Sequence, residues 1–204
     1  MKKLLFLAAG ALVLTANLSS CKKGENDPFL SLKSRKARVS GEWTVTKMEG
    51  TYSSVDSSDP LSNYSSTSSY DGTTETGTYT SAGNTGAYDP ETYTQTYTFE
   101  KEGTFSMIYA VGTSSYTVEG NWIFLGKNKN AELAKKEAIL LTITKEVNTE
   151  DGVSETETFT GYNNTMTFLI DQLKSKEMIL IDESTNVDGA TTSTDKSTYT
   201  LTAK

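Results

Sequence analysis

Residues 93–111 read YTQTYTFEKEGTFSMIYAV, two runs of alternating side chains that are separated by the short polar stretch Lys101-Glu102-Gly103. In the first run Gln95, Tyr97 and Phe99 alternate with threonines, and in the second run large side chains recur at every second position, at Phe105, Met107, Tyr109 and Val111. A period of two places the large residues on one face of a β-strand, and a short glycine-containing break between two such runs marks a turn. The stretch therefore predicts a β-hairpin, Tyr93 to Glu100 and Thr104 to Val111, with one dry face.

The same period of two recurs along most of the chain, and only Asn130 to Glu137 is helical in pattern. Further strands are predicted at Trp43 to Met48, Tyr116 to Phe124 with a bulge or bend at Gly120, Ile139 to Val147, Thr156 to Tyr162, Thr165 to Gln172, Met178 to Asp182 and Thr198 to Thr202. Consecutive strands without crossover helices require antiparallel pairing, and closure removes the open edges of a long meander. The sequence thus predicts an all-β fold, an antiparallel up-and-down barrel of eight or nine strands.

Residues 51–92 interrupt this pattern with a long segment that is rich in Ser, Thr, Tyr and Gly and contains no Lys or Arg. Aliphatic residues are nearly absent and the alternation is not clean, which favours a long flexible loop between the first two strands. A structureless insertion of this length is unusual in a compact domain, so a functional lid is a second interpretation. The five tyrosines of the segment leave a third, in which part of it forms irregular strands.

The first 21 residues form a lipoprotein signal with the only cysteine of the chain at its end. Lys2 and Lys3 precede an uncharged apolar stretch that is too short to cross a bilayer, and residues 18–21 read LSSC, a lipobox. Residues 1–20 are predicted to be a cleaved signal peptide, Cys21 to carry the acyl chains (palmitate among them), residues 21–32 to be the lipidated cysteine and linker, and residues 33–204 to form the barrel domain.

Charge and residue types exclude several classes of function. The chain carries 26 acidic and 19 basic residues, a net charge of −7, which argues against nucleic acid as a partner. It contains no histidine, and acylation would consume the thiol of Cys21, so the common general bases, metal ligands and nucleophiles are missing. The sequence shows no metal site, cofactor motif or catalytic residue, and we expect a protein that is not an enzyme.

An ordered set of short motifs follows the lipobox: Gly41-Glu42-Trp43 at the first strand, the hairpin YTFEKEGTFSM, Gly120-Asn121-Trp122, and the late pair that runs from Phe168 to Leu180. In this order the chain resembles the lipocalin-like lipoproteins of the Bacteroidota. The resemblance implies that Trp43 packs at the closed end of the barrel above the tight turn at Gly41. Many lipocalins place an arginine of the last strand on this tryptophan, but residues 199–204 contain none, so Arg35 or Arg38 is our hypothesis for the cation over the indole. It also implies that the largest loop, here residues 51–92, covers the barrel mouth.

The resemblance further implies a lipid-anchored outer-membrane protein, facing either the periplasm or the surface, with a small apolar ligand in the barrel mouth. The candidate ligand-binding residues are the large side chains of the predicted barrel lining: Tyr97, Phe99, Phe105, Met107, Tyr109, Tyr116, Trp122 and Phe124. An eight-stranded barrel holds either one small ligand or only its own side chains. The alternative is therefore a surface scaffold or adhesive module with a filled barrel that displays the Ser/Thr-rich segment.

Overall fold

The computed structural model describes residues 34–125, 137–161 and 164–204. The elements are α1 (Arg35–Val39), β1 (Gly41–Asp56), a 3-10 turn (Pro60–Ser62), β2 (Tyr64–Tyr70), β3 (Thr74–Ser81), β4 (Asn84–Ala87), β5 (Glu91–Thr92), β6 (Thr94–Phe99), β7 (Thr104–Val111), β8 (Ser114–Leu125), β9 (Glu137–Glu150), β10 (Val153–Thr158), β11 (Thr165–Leu173), β12 (Glu177–Asp188) and β13 (Thr191–Ala203). Residues 1–33 lie outside this description, as do residues 130–136 of the predicted helix; Glu137 begins β9.

Eight of these strands form a closed antiparallel barrel in the order β1, β6, β7, β8, β9, β11, β12, β13. Strand β1 closes it, because its first residues pair with β6 through Gly41↔Phe99 while its other edge pairs with β13 from Trp43↔Ala203 onward. The predicted all-β, up-and-down barrel is confirmed. The predicted hairpin of residues 93–111 is present as β6 and β7, with Phe99 opposite Phe105.

The register of β8 with β9 shifts at the predicted position, between Glu119 and Gly120, but the extra residue is Thr144 of β9, because Glu119 pairs with Lys145 and Gly120 with Ile143. Several other strands are longer than the alternation of apolar residues indicated. Strand β12 continues to Asp188 and β13 begins at Thr191. Of the strand predicted at Thr156 to Tyr162, the first three residues belong to β10 (Val153–Thr158), and Tyr162 lies outside the described residues.

The closed end of the barrel is sealed by α1 and the start of β1. The Ser34 hydroxyl caps the helix by accepting a hydrogen bond from the backbone N–H of Ala37 at 3.2 Å. The Trp43 indole, 1% exposed, donates from Nε1 to the carbonyl of Val39 at 2.7 Å. Gly41 has a φ of +137°, a backbone conformation that residues other than glycine disfavour. Gly41 and Trp43 thus occupy the tight entrance to the first strand.

Residues 51–92 form strands, so the expectation of a long flexible loop was wrong and the third interpretation describes them. Strand β1 runs on to Asp56 while paired with β13, and β2 adds to its free edge from Met48↔Tyr70 to Ser54↔Tyr64. Strands β3, β4 and β5 complete a sheet extension, a name we use for β2–β5 with the ends of β1, β12 and β13 beyond the barrel.

The composition of the sheet extension explains why it forms strands without an aliphatic face. Threonine and tyrosine favour extended backbone, and a paired edge already exists on β1. Cross-strand hydroxyl contacts add to the pairing: Thr67 Oγ1 lies 3.0 Å from Thr78 Oγ1, and Thr80 Oγ1 lies 3.1 Å from Thr85 Oγ1. Because solvent reaches much of both faces, no run of buried aliphatic residues is needed.

Candidate functional site

The closed half of the barrel is filled by the aromatic side chains of its lining. The Phe99 ring lies 5.7 Å from Trp122, 6.5 Å from Phe105 and 6.0 Å from Tyr97, measured between ring centroids. Tyr97, Phe99, Phe105, Met107 and Trp122 are each 9% exposed or less. Five of the eight candidate ligand-binding residues therefore belong to the packed core of the closed half. A ligand would have to lie between these residues and the open end of the barrel.

The other three candidates occupy different levels of the barrel. Phe124 packs edge-on against Trp122 at 5.5 Å, in the closed half. Tyr109 and Tyr116 lie opposite each other on β7 and β8, toward the open end, and both are partly buried. The structure thus assigns two of the sequence-predicted residues, Tyr109 and Tyr116, to the mouth of the barrel.

A stack of three tyrosines forms one wall of this mouth. Tyr70 and Tyr93 lie face to face with centroids 4.3 Å apart and planes 8° apart, and Tyr93 lies 4.6 Å from Tyr109. The Tyr70 hydroxyl donates to the Tyr93 carbonyl at 2.8 Å, which fixes the inner ring of the stack. Tyr199 on β13 faces the same space, because its register partner Met48 is in turn opposite Tyr70.

Carboxylates accompany the tyrosines of the mouth. Glu75 lies directly opposite Tyr70 on one side and Glu91 on the other, so all three side chains share one face. The Tyr109 hydroxyl donates to Glu91 Oε2 at 3.1 Å. Asp182 of β12 is about half-buried, and this burial, together with the nearby Asp195, raises the pKa of its carboxyl.

Burial governs the protonation of the mouth phenols. Burial, followed by the hydrogen bond to Glu91, raises the pKa of Tyr109 to about 12. Burial, followed by the hydrogen bond to Glu146, raises the pKa of Tyr116 to about 12. The pKa of Tyr93 is raised further, first by burial and then by Glu75. At neutral pH these groups are uncharged hydrogen-bond donors and acceptors with intact aromatic rings.

Two grooves open beside the tyrosine stack. One has a volume of about 550 Å³ and is lined by Ser68, Glu75, Thr76, Tyr88 and residues 89–91. The other, about 290 Å³, lies on the opposite side of the mouth and is lined by Tyr116, Glu146, Asn148 and residues 155–157. Both contain tyrosine rings, hydroxyl or amide groups and carboxylates, which can contact a small molecule through its flat apolar faces and its donors.

Sequence reasoning missed Tyr70, Tyr93 and Tyr199 as mouth residues, and Glu75 with them. Tyr70 and Glu75 lie in the segment that the sequence assigned to a loop, and Tyr199 was placed on a strand without a partner that would show which space it faces. One signal was available for Tyr93, because it continues the alternation of Tyr97 and Gln95 toward the open end of β6.

The basic residues of α1 contact the barrel strands at the closed end. The Arg38 guanidinium, 3% exposed, donates from Nη1 to the carbonyl of Leu173 at 2.6 Å, and Arg35 forms a close ion pair with Glu137. The ammonium of Lys36 lies 5.9 Å from the ring centroid of Trp122. These contacts attach α1 to β9, β11 and β8.

Within residues 34–125, 137–161 and 164–204, no three His, Cys, Asp or Glu side chains are grouped as a metal site would require. In the same part of the chain, no helix is both long and apolar enough to span a membrane. No protein-family model, curated protein or solved structure matches the chain.

Proposed function

We propose that this chain is a lipid-anchored outer-membrane protein of the lipocalin-like kind, not an enzyme, that binds a small ligand in the mouth of its barrel through the ligand's apolar part. The observation that carries the proposal is the tyrosine stack of Tyr70, Tyr93 and Tyr109. It stands at the open end, directly above a packed core, and its outer ring, Tyr109, remains partly accessible. Stacked aromatic rings offer a large contact area at a low cost in conformational entropy.

The position of the site relative to the anchor supports the proposal. The chain that leads from the lipobox enters α1 at the closed end, where Arg38 binds the Leu173 carbonyl. Strand β1 then carries the chain from this end to the sheet extension, so the mouth lies at the end of the barrel remote from the tether. Acyl chains on Cys21 would hold the closed end near the bilayer and leave the mouth accessible.

The residue types of the mouth support binding over catalysis. The chain has no histidine, and the phenols of Tyr109 and Tyr116 hold their protons well above neutral pH because their pKa values are raised to about 12. Neither group is a general base or a nucleophile under physiological conditions. Their rings and hydroxyls can still orient a ligand.

The proposal is tested by titrating residues 22–204 with a dansyl-labelled fatty acid and displacing it with bacterial lipid extract. We expect saturable, displaceable binding of one probe per chain, weakened about tenfold in Tyr109→Ser. Ile123→Ser, which changes a 55% exposed residue on the outer wall of β8, serves as the matched control and should bind as the wild type does. An absence of saturable binding in the folded protein, or equal losses in both variants, would contradict the proposal.

A second candidate function is a surface scaffold or adhesive module with a filled barrel. The packed interior favours it: Trp43, Tyr97, Phe99 and Phe168 are all below 3% exposure and occupy the closed half. On this proposal the hydroxyl-rich sheet extension is the displayed surface. This second function is favoured if the fatty-acid titration shows no binding and protease treatment of intact cells cleaves the chain.

A further inference from the structure

A row of four tyrosines crosses the sheet extension on the face that continues the barrel interior. Tyr52 of β1, Tyr64 of β2 and Tyr79 of β3 are followed by Tyr88, just after β4. Successive ring centroids are 5.8, 6.4 and 5.3 Å apart, and the planes of Tyr64 and Tyr79 differ by 13°. This tyrosine row is separated from the mouth by a strip of small residues, Gly50, Ser68 and Gly77.

Two glycines make room for the rings of the row. A Cβ on Gly86 would lie 2.5 Å from Cζ of Tyr79, and a Cβ on Gly77 would lie 2.9 Å from Cδ2 of Tyr88. The two rings therefore lie across bare backbone, each over the neighbouring strand. A ring that covers a glycine in this way keeps its opposite face toward solvent, and Tyr88 is 42% exposed.

Hydrogen bonds hold the hydroxyl groups of the row in place. The hydroxyls of Tyr64 and Tyr88 form a short hydrogen bond with each other, and the Tyr52 hydroxyl donates to Oγ of Ser193 at 3.5 Å. The bond to Tyr88 raises the pKa of Tyr64. The row thus presents uncharged, electron-rich rings whose positions are fixed by neighbours and not by a ligand.

The charged residues on this face are acids. Asp195 lies directly opposite Tyr52 in the β1–β13 pair, so their side chains share the face of the tyrosine row. Asp188 lies on the same face of the adjacent strand β12, opposite Thr191, which is in turn opposite Asp56 of β1. Three carboxylates therefore lie near the Tyr52 end of the row, and Asp195 is directly beside Tyr52.

The basic residues of the same strands project to the other face. Lys47 and Lys196 are the only basic residues in β1–β5, β12 and β13. Lys196 pairs with Glu183 at 3.4 Å, and Lys47 pairs with Glu49 at 2.7 Å. All four positions alternate along their strands with residues on the face of the tyrosine row, so they lie on the opposite face. The face of the tyrosine row consequently has one sign of charge, which concentrates cations near it.

Tyrosine faces attract ammonium groups through the ring quadrupole, and the alkyl carbons beside such a group pack on the same rings. A bare metal ion fits less well, since the described residues hold no group of three carboxylates that converge on a point. A row of rings with carboxylates at one end matches a long molecule with several positive charges.

We infer that the tyrosine row and the carboxylates beside it bind a linear organic polycation of the polyamine class, with ammonium groups over the rings and near Asp195 and alkyl segments along the tyrosines. This site lies beyond the mouth, and it does not depend on the ligand proposed there.

The test is calorimetric titration of residues 22–204, which include all of the described strands, with spermine at low ionic strength. A neutral diol of similar length and Mg²⁺ are run as control ligands. We expect saturable spermine binding that weakens three- to fivefold in Tyr64→Leu or Tyr79→Leu and about threefold in Asp195→Asn. Tyr64→Phe, which keeps the ring, should bind within about twofold of the wild type. Glu183→Gln removes the same charge from the opposite face, and the affinity of this variant for spermine should equal that of the wild type.

Several results would overturn the inference. These are no binding of spermine to the folded wild type, equally strong binding of the diol, or equal losses in Asp195→Asn and Glu183→Gln, which would indicate nonspecific attraction to an acidic protein. If the leucine variants do not fold, as judged by circular dichroism, the site is tested instead on the wild type, by the NMR signals of its tyrosine rings with and without spermine. Spermine must shift the signals of the tyrosine row and leave those of Tyr97 unchanged, and the opposite pattern contradicts the site.

Discussion

Gly120 faces the backbone of Thr142 so closely that a Cβ at position 120 would lie 2.0 Å from the Thr142 carbonyl oxygen. The contact occurs at the bulge where the register of β8 with β9 shifts, and the ring of Phe105 approaches to 2.9 Å from the same point. A side chain at this position must displace either a strand backbone or a core ring.

We therefore expect Gly120→Ala to lower the free energy of unfolding by about 2–4 kcal/mol, because neither neighbour can yield without repacking the core. Chemical denaturation followed by tryptophan fluorescence measures the change. Gly112→Asn is the matched control: Gly112 has a φ of +56°, a Cβ added there would meet no atom within 4 Å, and asparagine tolerates that φ. A loss as large in the control would show that the bulge is not the cause.

The alkaline stability of the protein depends on the mouth tyrosines. The pKa of Tyr109 is raised to about 12 by burial and by Glu91, whereas its ordinary value is 10. Between these two values the unfolded chain loses a proton that the folded chain retains, so the free energy of unfolding falls as the pH rises from about 10 to about 12. Below pH 10 the contribution of this group is fully present.

Tyr109→Phe should make this alkaline loss of stability shallower, since it removes the group that titrates differently in the two states. The measurement is the denaturation midpoint at several pH values between 9 and 12, compared with the wild type. Ile108→Val, at the neighbouring exposed position on the other face of β7, should keep the wild-type slope. If the denaturation midpoint of Tyr109→Phe falls with pH as steeply as that of the wild type, the phenol of Tyr109 does not titrate differently in the folded and unfolded states, and the prediction is wrong.

The attachment of α1 at the closed end is tested by Arg38→Met, which keeps an apolar stem and removes the hydrogen bond to the Leu173 carbonyl. Because the guanidinium and the carbonyl are both buried, we expect a loss of about 2–3 kcal/mol in the free energy of unfolding. The emission of Trp43 should shift as well, because its indole donates to Val39 in the same short helix. Lys36→Met, in the exposed part of α1, should cost less than about 1 kcal/mol. If Arg38→Met is as mild, the helix is held by other contacts.

The barrel could be predicted from the sequence because its strands have one dry face. Alternation of Tyr97 and Phe99, or of Leu141 and Ile143, with threonines shows which side chains point inward, and Gly120 marks the register shift. The pattern does not show whether the inward residues meet each other or a ligand. That depends on which strands face each other across the barrel, and the alternation within one strand contains no such information.

The sheet extension could not be predicted because its strand state depends on pairing between distant segments. The run from Tyr64 to Tyr70 contains no aliphatic residue, and it forms a strand because β1 and β13 pair far beyond the barrel and leave an edge of β1 for it. Tyr79 with Gly86 is a local clue in retrospect: a tyrosine opposite a glycine on adjacent strands allows the ring to cover the backbone. The mouth residues Tyr70 and Glu75 were missed for the same reason.

Phe168 connects the packed core to the mouth. Its ring lies edge-on against Tyr97 at 6.3 Å and against Tyr199 at 5.9 Å, with both pairs of planes nearly perpendicular. The first partner is buried in the core and the second faces the mouth, so the orientation of Tyr199 depends on the packing of Phe168. Removing the ring should therefore affect both stability and the mouth.

We expect Phe168→Ala to cost about 3–5 kcal/mol in the free energy of unfolding, and Phe168→Leu to cost less than about 2 kcal/mol because it retains most of the volume. Phe168→Leu should remain folded, yet weaken binding of the dansyl-labelled fatty acid several-fold, because Tyr199 loses the edge contact that orients it. Met166→Leu, a partly buried change two residues away on the same face of β11, is the control for both measurements. Wild-type probe affinity in a folded Phe168→Leu protein would show that the mouth does not depend on the core ring beneath it.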